Sequence, residues 1–138
     1  YLYPDEIDDE FIKFVKENPR ILPYFDIPFQ HSSDSILKNM RRKGNHLSYQ
    51  TLIDKIRSEI PNSIIRTTFI VGFPNESEED FENLLSFTKL NHFDHMGAFI
   101  YSKEDGTLAG DMKNQIKDYC KNKNCFFITF GKKEITYY

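Results

Sequence analysis

Residues 66–81 read RTTFIVGFPNESEEDF, and this stretch decides the fold. Its apolar run predicts a buried strand over residues 64–71, which breaks at Gly72. Ser77 and Asp80 then have the spacing of a capping box, which predicts that a helix begins directly after the loop. A strand followed by a short loop and a helix is the repeating unit of an α/β protein.

The same alternation extends along the chain in both directions. Strands are predicted at residues 2–3, 24–29, 64–71 and 96–101. The helices between them are predicted to start at Asp5, Asp34, Ser48 and Ser77. The first is expected to bury Phe11 and Phe14 and to stop at Pro19, and the second to end at Gly44. Strands joined by helical crossovers indicate a parallel sheet, so the fold class is α/β.

Ligands of parallel α/β sheets bind at the carboxyl ends of the strands. The loops to inspect are therefore residues 30–35, 72–77 and 102–107. Gly72 permits a close approach of the backbone to a ligand, and Pro74 stiffens the turn. The same residues also suit an ordinary strand-to-helix loop, so pattern alone leaves both interpretations open.

Composition narrows the classes of partner. The chain of 138 residues carries 18 Lys and Arg against 21 Asp and Glu, a net charge of −3 that predicts no direct binding of nucleic acid. We see no apolar run that could cross a membrane and no signal-peptide pattern, so the expected location is cytoplasmic. Cys120 and Cys125 have neither a disulfide-framework nor a zinc spacing, and no metal site is predicted.

Other polar groups have local explanations. His31 with Ser32 and Ser33 lacks the pattern of an activated nucleophile, and no catalytic residue is predicted. The acidic residues of 76–80 suit the first turn of a helix, and the basic residues of 38–43 suit a helix end, although an anionic partner could use them. His92, Asp94 and His95 favour a solvated turn. Asp26 lies within an apolar strand and needs a partner or a purpose.

Three motifs carry a resemblance to a known family. In order they are YFDIPFQHSSDSILKNMRRKG, RTTFIVGFPNESEEDFENLLSF and FIYSKEDGTLA. Residues 1–115 closely resemble the radical S-adenosylmethionine (SAM) methylthiotransferases. The sequence Gln30-His31-Ser32-Ser33 and the preceding Asp26-Ile27-Pro28 favour the branch that modifies an aspartate of a small-subunit ribosomal protein. The sister branch, which acts on tRNA, usually carries Gln-Ser-Gly-Ser and stays an alternative.

The resemblance implies a TIM-like (β/α) barrel that binds SAM and a 4Fe-4S cluster, with a second cluster elsewhere in the complete enzyme. Gln30, His31, Ser32 and Ser33 would then lie near the ribose and methionine parts of SAM. Arg66 and Thr68 would face its carboxylate, and Gly72, Phe73 and Pro74 would lie beside the adenine. Tyr101 and Ser102 end the last strand on the same rim.

Two domains are expected: the C-terminal half of the barrel at residues 1–110, and an atypical tail at residues 111–138. The tail is predicted to begin as a helix before the β-prone CFFITFG. The family's Gly is replaced by Asn75, which tolerates similar turn conformations. The cysteines of the cluster are missing, so this segment alone is expected to be inactive.

An alternative of a different class is a catalytically inert barrel segment whose basic residues bind a partner. The half barrel also leaves strand edges open, which favours self-association.

Overall fold

The computed structural model describes residues 1–117. Its strands are β1 (Tyr24–Asp26), β2 (Ile64–Val71) and β3 (His95–Ile100), and its helices are α1 (Asp9–Glu17), α2 (Asp34–Asn39), α3 (His46–Glu59) and α4 (Glu78–Asn91). The strands form a parallel sheet in the order β1-β2-β3. The predicted α/β class and the sequential parallel order of these three strands are confirmed. Within residues 1–117, no helix is both long and apolar enough to cross a membrane.

The two faces of the sheet differ sharply in how far their side chains are exposed. Ile65, Thr67, Phe69 and Val71 are completely buried beneath the helices, whereas the alternate residues of β2 are partly or largely exposed. This alternation follows from the two-residue period of a strand. Phe29, Phe69, Phe87 and Phe93 form the centre of the core, with ring centroids 5.8–6.3 Å apart in the contacting pairs. The opposite face carries Tyr24, Ile64, Arg66 and Phe99, and we call it the open face.

The predicted strand at residues 2–3 is wrong. The backbone N–H of Leu2 donates to the Asp26 carbonyl (2.9 Å), but Pro4 then opens a short 3-10 turn, Pro4–Glu6. Proline has no N–H to continue a ladder of hydrogen bonds. The same property shortens β1, which was predicted to reach residue 29 and ends at Asp26, two residues before Pro28.

Several predicted helix boundaries also need correction. Asp8, not Asp5, caps α1 by accepting a hydrogen bond from the Phe11 N–H (2.8 Å). Phe14 is 54% exposed, because it lies about 200° around the axis from the buried Ile12. The second helix ends at Asn39 rather than at residue 44.

The third helix begins earlier than predicted, because Asn45 is its cap and Ser48 is the other half of that capping box. The capping box of Ser77 and Asp80 is confirmed. The helix predicted at the start of the tail is absent from residues 111–117. There, side-chain amides bond to nearby backbone groups, as Gln115 does to the Ala109 carbonyl (2.9 Å), which competes with helical pairing. The remaining tail residues, with CFFITFG, lie outside the described residues.

The open face generates a prediction about association. Phe99 is 63% exposed on β3, which is an edge strand among residues 1–117. We expect concentration-dependent self-association in sedimentation velocity, and we expect Phe99→Lys to reduce it because a charge at a strand edge opposes pairing. Phe14→Lys, at an exposed position of α1, is the matched control and should leave association unchanged. A strictly monomeric wild-type profile at high concentration would contradict the prediction.

Candidate functional site

A cavity of about 620 Å³ opens at the carboxyl ends of the strands. Its walls come from the loop after β1, the end of β2, the end of α2 and the segment that follows β3. The lining residues are Gln30, Asn39, Met40, Arg41, Arg42, Ile70, Phe73, Leu108, Ala109, Asp111 and Met112. A cavity of this size, mostly apolar with a few polar groups, is typical of a small-molecule site.

Gln30 is held in an unusual backbone conformation at the cavity wall. Its φ angle is +68°, which is uncommon for a residue other than glycine. Two hydrogen bonds to β2 fix it there: its N–H donates to the Thr68 carbonyl (2.9 Å), and its carbonyl accepts from the Ile70 N–H (2.8 Å). Its side-chain Oε1 is buried and accepts no hydrogen bond from residues 1–117. Gln30 thus lines the cavity while its side-chain oxygen has no partner among the described residues.

A buried polar contact joins the loops after β1 and β2. The Glu76 carboxylate accepts a hydrogen bond from the Gly72 N–H (2.8 Å), and the same oxygen lies 3.5 Å from His31 Nε2. The side chains of His31 and Glu76 are 0% and 2% exposed. His31 Nδ1 accepts from the Ser33 N–H (3.0 Å), so the ring proton must lie on Nε2, facing Glu76. The pair thus fixes the spacing of Gln30 and Phe73, which adjoin it in the chain and line the cavity.

Asn75 ties the segment after β3 to the loop after β2. It has φ +69°, the left-handed conformation, which asparagine adopts more readily than most residues other than glycine. Its N–H donates to the Asn114 carbonyl (3.0 Å), and the Asn114 Nδ2 donates to its Oδ1 (2.8 Å). This double contact holds residues 108–112 against the cavity.

Asp80 links the starts of α2 and α4. Its carboxylate accepts hydrogen bonds from the Ser33 hydroxyl, the Ser35 hydroxyl (3.0 Å), and the Ser77 hydroxyl (2.6 Å) and N–H (2.9 Å). Partial burial by itself would raise the pKa of Asp80, but the hydrogen bonds from Ser33, Ser77 and Ser35 outweigh it and lower the pKa to about 2. Asp80 therefore does more than cap α4.

Some of the predicted cofactor residues line the cavity or lie beside its wall. Gln30 and Phe73 line the cavity, while Gly72 and Pro74 are buried in the same loop as Phe73. Tyr101 packs its ring against Phe73 (5.1 Å between centroids), and Ser102 follows it on the rim.

The other predicted residues lie off the cavity wall. His31, Ser32 and Ser33 are buried beneath the surface, and Ser33 bonds to Asp80. Arg66 lies on the open face, half exposed and 3.5 Å from the Asp26 carboxylate, with Thr68 two residues further along β2. The partner that Asp26 needed is thus Arg66. Contacts of all these residues with a cofactor stay predictions.

Sequence reasoning missed two walls of the cavity. One is the end of α2, from Asn39 to Arg42, and the other is the segment from Leu108 to Met112. From the sequence, the basic residues of 38–43 are explained by the end of a helix. Their position beside the loop after β2 depends on the packing of α2, which no local pattern records.

A model of the radical SAM superfamily matches residues 2–88. The chain belongs to this superfamily. The family implies that the complete enzyme uses SAM and iron-sulfur clusters. The cavity suits SAM, because it combines an apolar wall at Ile70 and Phe73 with the unbonded Gln30 oxygen and charged groups. The described part of the chain does not suit a cluster, since no three of its His, Cys, Asp or Glu side chains are arranged to hold a metal.

The relatives in this superfamily carry a common name. The ribosomal protein uS12 methylthiotransferase RimO of Alkaliphilus oremlandii is 57% identical over 116 residues, which cover 84% of this chain and 26% of that protein. RimO of Acetivibrio thermocellus is 44% identical, over 98% of this chain and 30% of that protein. RimO of Aquifex aeolicus is 50% identical, over 79% of this chain and 25% of that protein. The chain thus spans between a quarter and a third of the length of these relatives.

The hydrogen bonds of Asp80 generate a prediction about pH. Because the carboxyl group titrates near 3.8 when unfolded and near 2 when folded, its contribution is fully present above pH 5 and is lost as the pH falls toward 2. We expect Asp80→Asn to lower the free energy of unfolding at pH 7 by about 1 kcal/mol, a value discounted for solvent screening, and to flatten its decline between pH 5 and 2. Glu79→Gln removes a charge from the same turn and is the control in urea titrations. An unchanged decline in Asp80→Asn would contradict the assignment.

The contact between His31 and Glu76 generates a second prediction. In Glu76→Gln the buried carboxylate that faces His31 is lost, and the side-chain amide NH2 can replace the oxygen that accepts from the buried Gly72 N–H. We expect a destabilisation of about 1–3 kcal/mol, seen as a lower urea midpoint at an unchanged slope. Glu78→Gln, an exposed neighbour, is the control. Equal midpoints in the two variants would show that the contact does not stabilise the loops.

Proposed function

We propose that this chain forms the SAM-binding wall of a radical SAM methylthiotransferase that modifies an aspartate of ribosomal protein uS12. The observation that carries the proposal is the cavity at the carboxyl ends of the parallel strands. It lies where ligands bind in parallel α/β sheets, in a chain that belongs to the radical SAM superfamily.

Each wall of the cavity has a chemical task in this proposal. The side chains of Ile70 and Phe73 offer an apolar surface to the adenine, and the free Oε1 of Gln30 accepts a hydrogen bond from a ribose hydroxyl. The buried pair of His31 and Glu76 keeps these two walls at a fixed separation. Preformed walls reduce the cost of ordering that binding would otherwise incur.

The chemistry of the whole enzyme follows from the cofactor rather than from these residues. When bound and reduced by one electron from an iron-sulfur cluster of the complete enzyme, SAM would supply the radical that removes a hydrogen atom from the acceptor. The residues described here bind and orient the cofactor and shield its adenine from water. This division of work is usual where a cofactor carries the difficult chemistry.

The choice of uS12 over tRNA rests on the relatives. All three cited proteins are named uS12 methylthiotransferases, with identities of 44–57%. Gln30-His31-Ser32-Ser33 differs from the Gln-Ser-Gly-Ser of the tRNA branch at His31 and Ser32, and both of these side chains are buried, His31 against Glu76. A substrate from the ribosome agrees with the cytoplasmic location expected from the sequence.

Titration of the chain with SAM tests the proposal. We expect weak, saturable binding of SAM and no comparable binding of inorganic phosphate. Ile70→Asp should abolish SAM binding because it places a carboxylate in the apolar wall. Ile64→Asp, on the same face of β2 but outside the cavity, should bind SAM like the wild type. Binding of phosphate alone, or equal loss in both variants, would overturn the proposal.

A further inference from the structure

The end of α2 brings two arginines to the cavity. Arg41 and Arg42 both line it, together with one acidic residue, Asp111. Gln30 and Phe73 line the same cavity as the two arginines. A ligand that fills the cavity therefore also reaches the end of α2. The question is which of these charges is free to bind it.

The three basic residues that follow α2 differ in their partners. The Arg42 guanidinium lies 4.9 Å from the centre of the Tyr3 ring, and Lys43 pairs with Asp5 at 3.4 Å. Within residues 1–117, Arg41 forms neither an ion pair nor a ring contact, and Asp111 is not within ion-pair distance of it. Its side chain therefore carries an unneutralised charge at the cavity.

The backbone conformation of Arg41 is less favourable for arginine than it would be for glycine. α2 ends in a Schellman motif, in which the Arg42 N–H donates to the Leu37 carbonyl (2.9 Å) and the Arg41 N–H to the Lys38 carbonyl (3.0 Å). Arg41 occupies the left-handed position of this motif, with φ +55°. Glycine is the usual residue there because it avoids the clash of a Cβ atom. An arginine at this position costs stability that glycine would not.

Attraction to the helix end does not explain the arginine. Lys38 lies in the last turn of α2 and already places a positive charge beside the terminal carbonyl groups. A charge at that end also needs no left-handed residue, since Lys38 has helical backbone geometry. The strained position, the free guanidinium and the cavity together indicate a binding role.

We propose that Arg41 is the carboxylate-binding residue of this cavity. The inference rests on the proposed function, because the ligands of that function carry carboxylates. A guanidinium binds a carboxylate through two parallel hydrogen bonds, which fixes orientation as well as position. The carboxylate comes either from the methionine part of SAM or from the aspartate that accepts the methylthio group.

Arg66, predicted to face the SAM carboxylate, is placed differently. It lies four residues before Ile70 on β2, roughly 13 Å along the strand from the cavity wall. Its nearest carboxylate is that of Asp26, at 3.5 Å. Arg41 and Arg42 are the arginines that line the cavity, and of the two only Arg42 has a ring contact within the described residues.

The test uses the 138-residue chain, titrated by NMR with three probes. They are SAM, 5′-methylthioadenosine, which keeps the adenosine but lacks the amino-acid carboxylate, and a short aspartyl peptide. We expect Arg41→Gly to weaken a carboxylate probe about tenfold, to leave methylthioadenosine binding unchanged and to retain or raise the Tm. Lys38→Ala, which removes a neighbouring charge outside the cavity, should match the wild type in all three titrations.

Each outcome decides a point. Weaker binding of SAM but not of methylthioadenosine assigns the carboxylate to the cofactor, and weaker binding of the peptide alone assigns it to the acceptor. Unchanged affinity for both carboxylate probes overturns the inference, while methylthioadenosine binding by the wild type leaves the proposed function standing. A lower Tm with loss of all three probes makes Arg41 a residue of the fold and also overturns it. If the wild type binds neither SAM nor methylthioadenosine, the proposed function fails as well.

Discussion

The parallel pairing of β2 with a strand on each side is the constraint on which the rest of this structure depends. Strands that run in one direction must be joined by crossovers, so every helix covers the same face and every strand ends at the same edge. The buried alternation of Ile65, Thr67, Phe69 and Val71 fixes the register of β2 against the helices, because a slip of one residue would turn Arg66 into the core. The cavity exists because the loops meet at that common edge.

Polar contacts, one of them buried, join the loops at this edge. Glu76 joins the loops that follow β1 and β2, and Asp80 joins the starts of α2 and α4. Such contacts contribute little net free energy but strongly disfavour any arrangement that leaves a buried group unpaired. They therefore give the cavity a defined shape. The functional conclusion follows from this shape, since a preformed site can orient a cofactor without reorganising.

The sequence predicted the elements with strong periodicity and missed those governed by single backbone groups. β2, α4 and the capping box of Ser77 were correct because alternation, helical spacing and a cap all agreed. The strand at residues 2–3 was wrong because Pro4 opens a 3-10 turn, and β1 was predicted too long because Pro28 has no N–H to continue the hydrogen bonds to β2. The α1 cap was misplaced because several acidic residues precede that helix and only geometry distinguishes Asp8 from Asp5.

By itself, the sequence determined the α/β class, the order of the three strands, the loops at their carboxyl ends and the family. These properties are local, and periodicity, caps and contiguous motifs encode them. Only the tertiary structure decided which side chains meet. It buried His31 against Glu76, paired Arg66 with Asp26, and brought Arg41 to a cavity shared with Leu108 and Asp111. Such contacts join residues tens of positions apart, and their distances depend on how helices pack on the sheet, which no short stretch of sequence specifies.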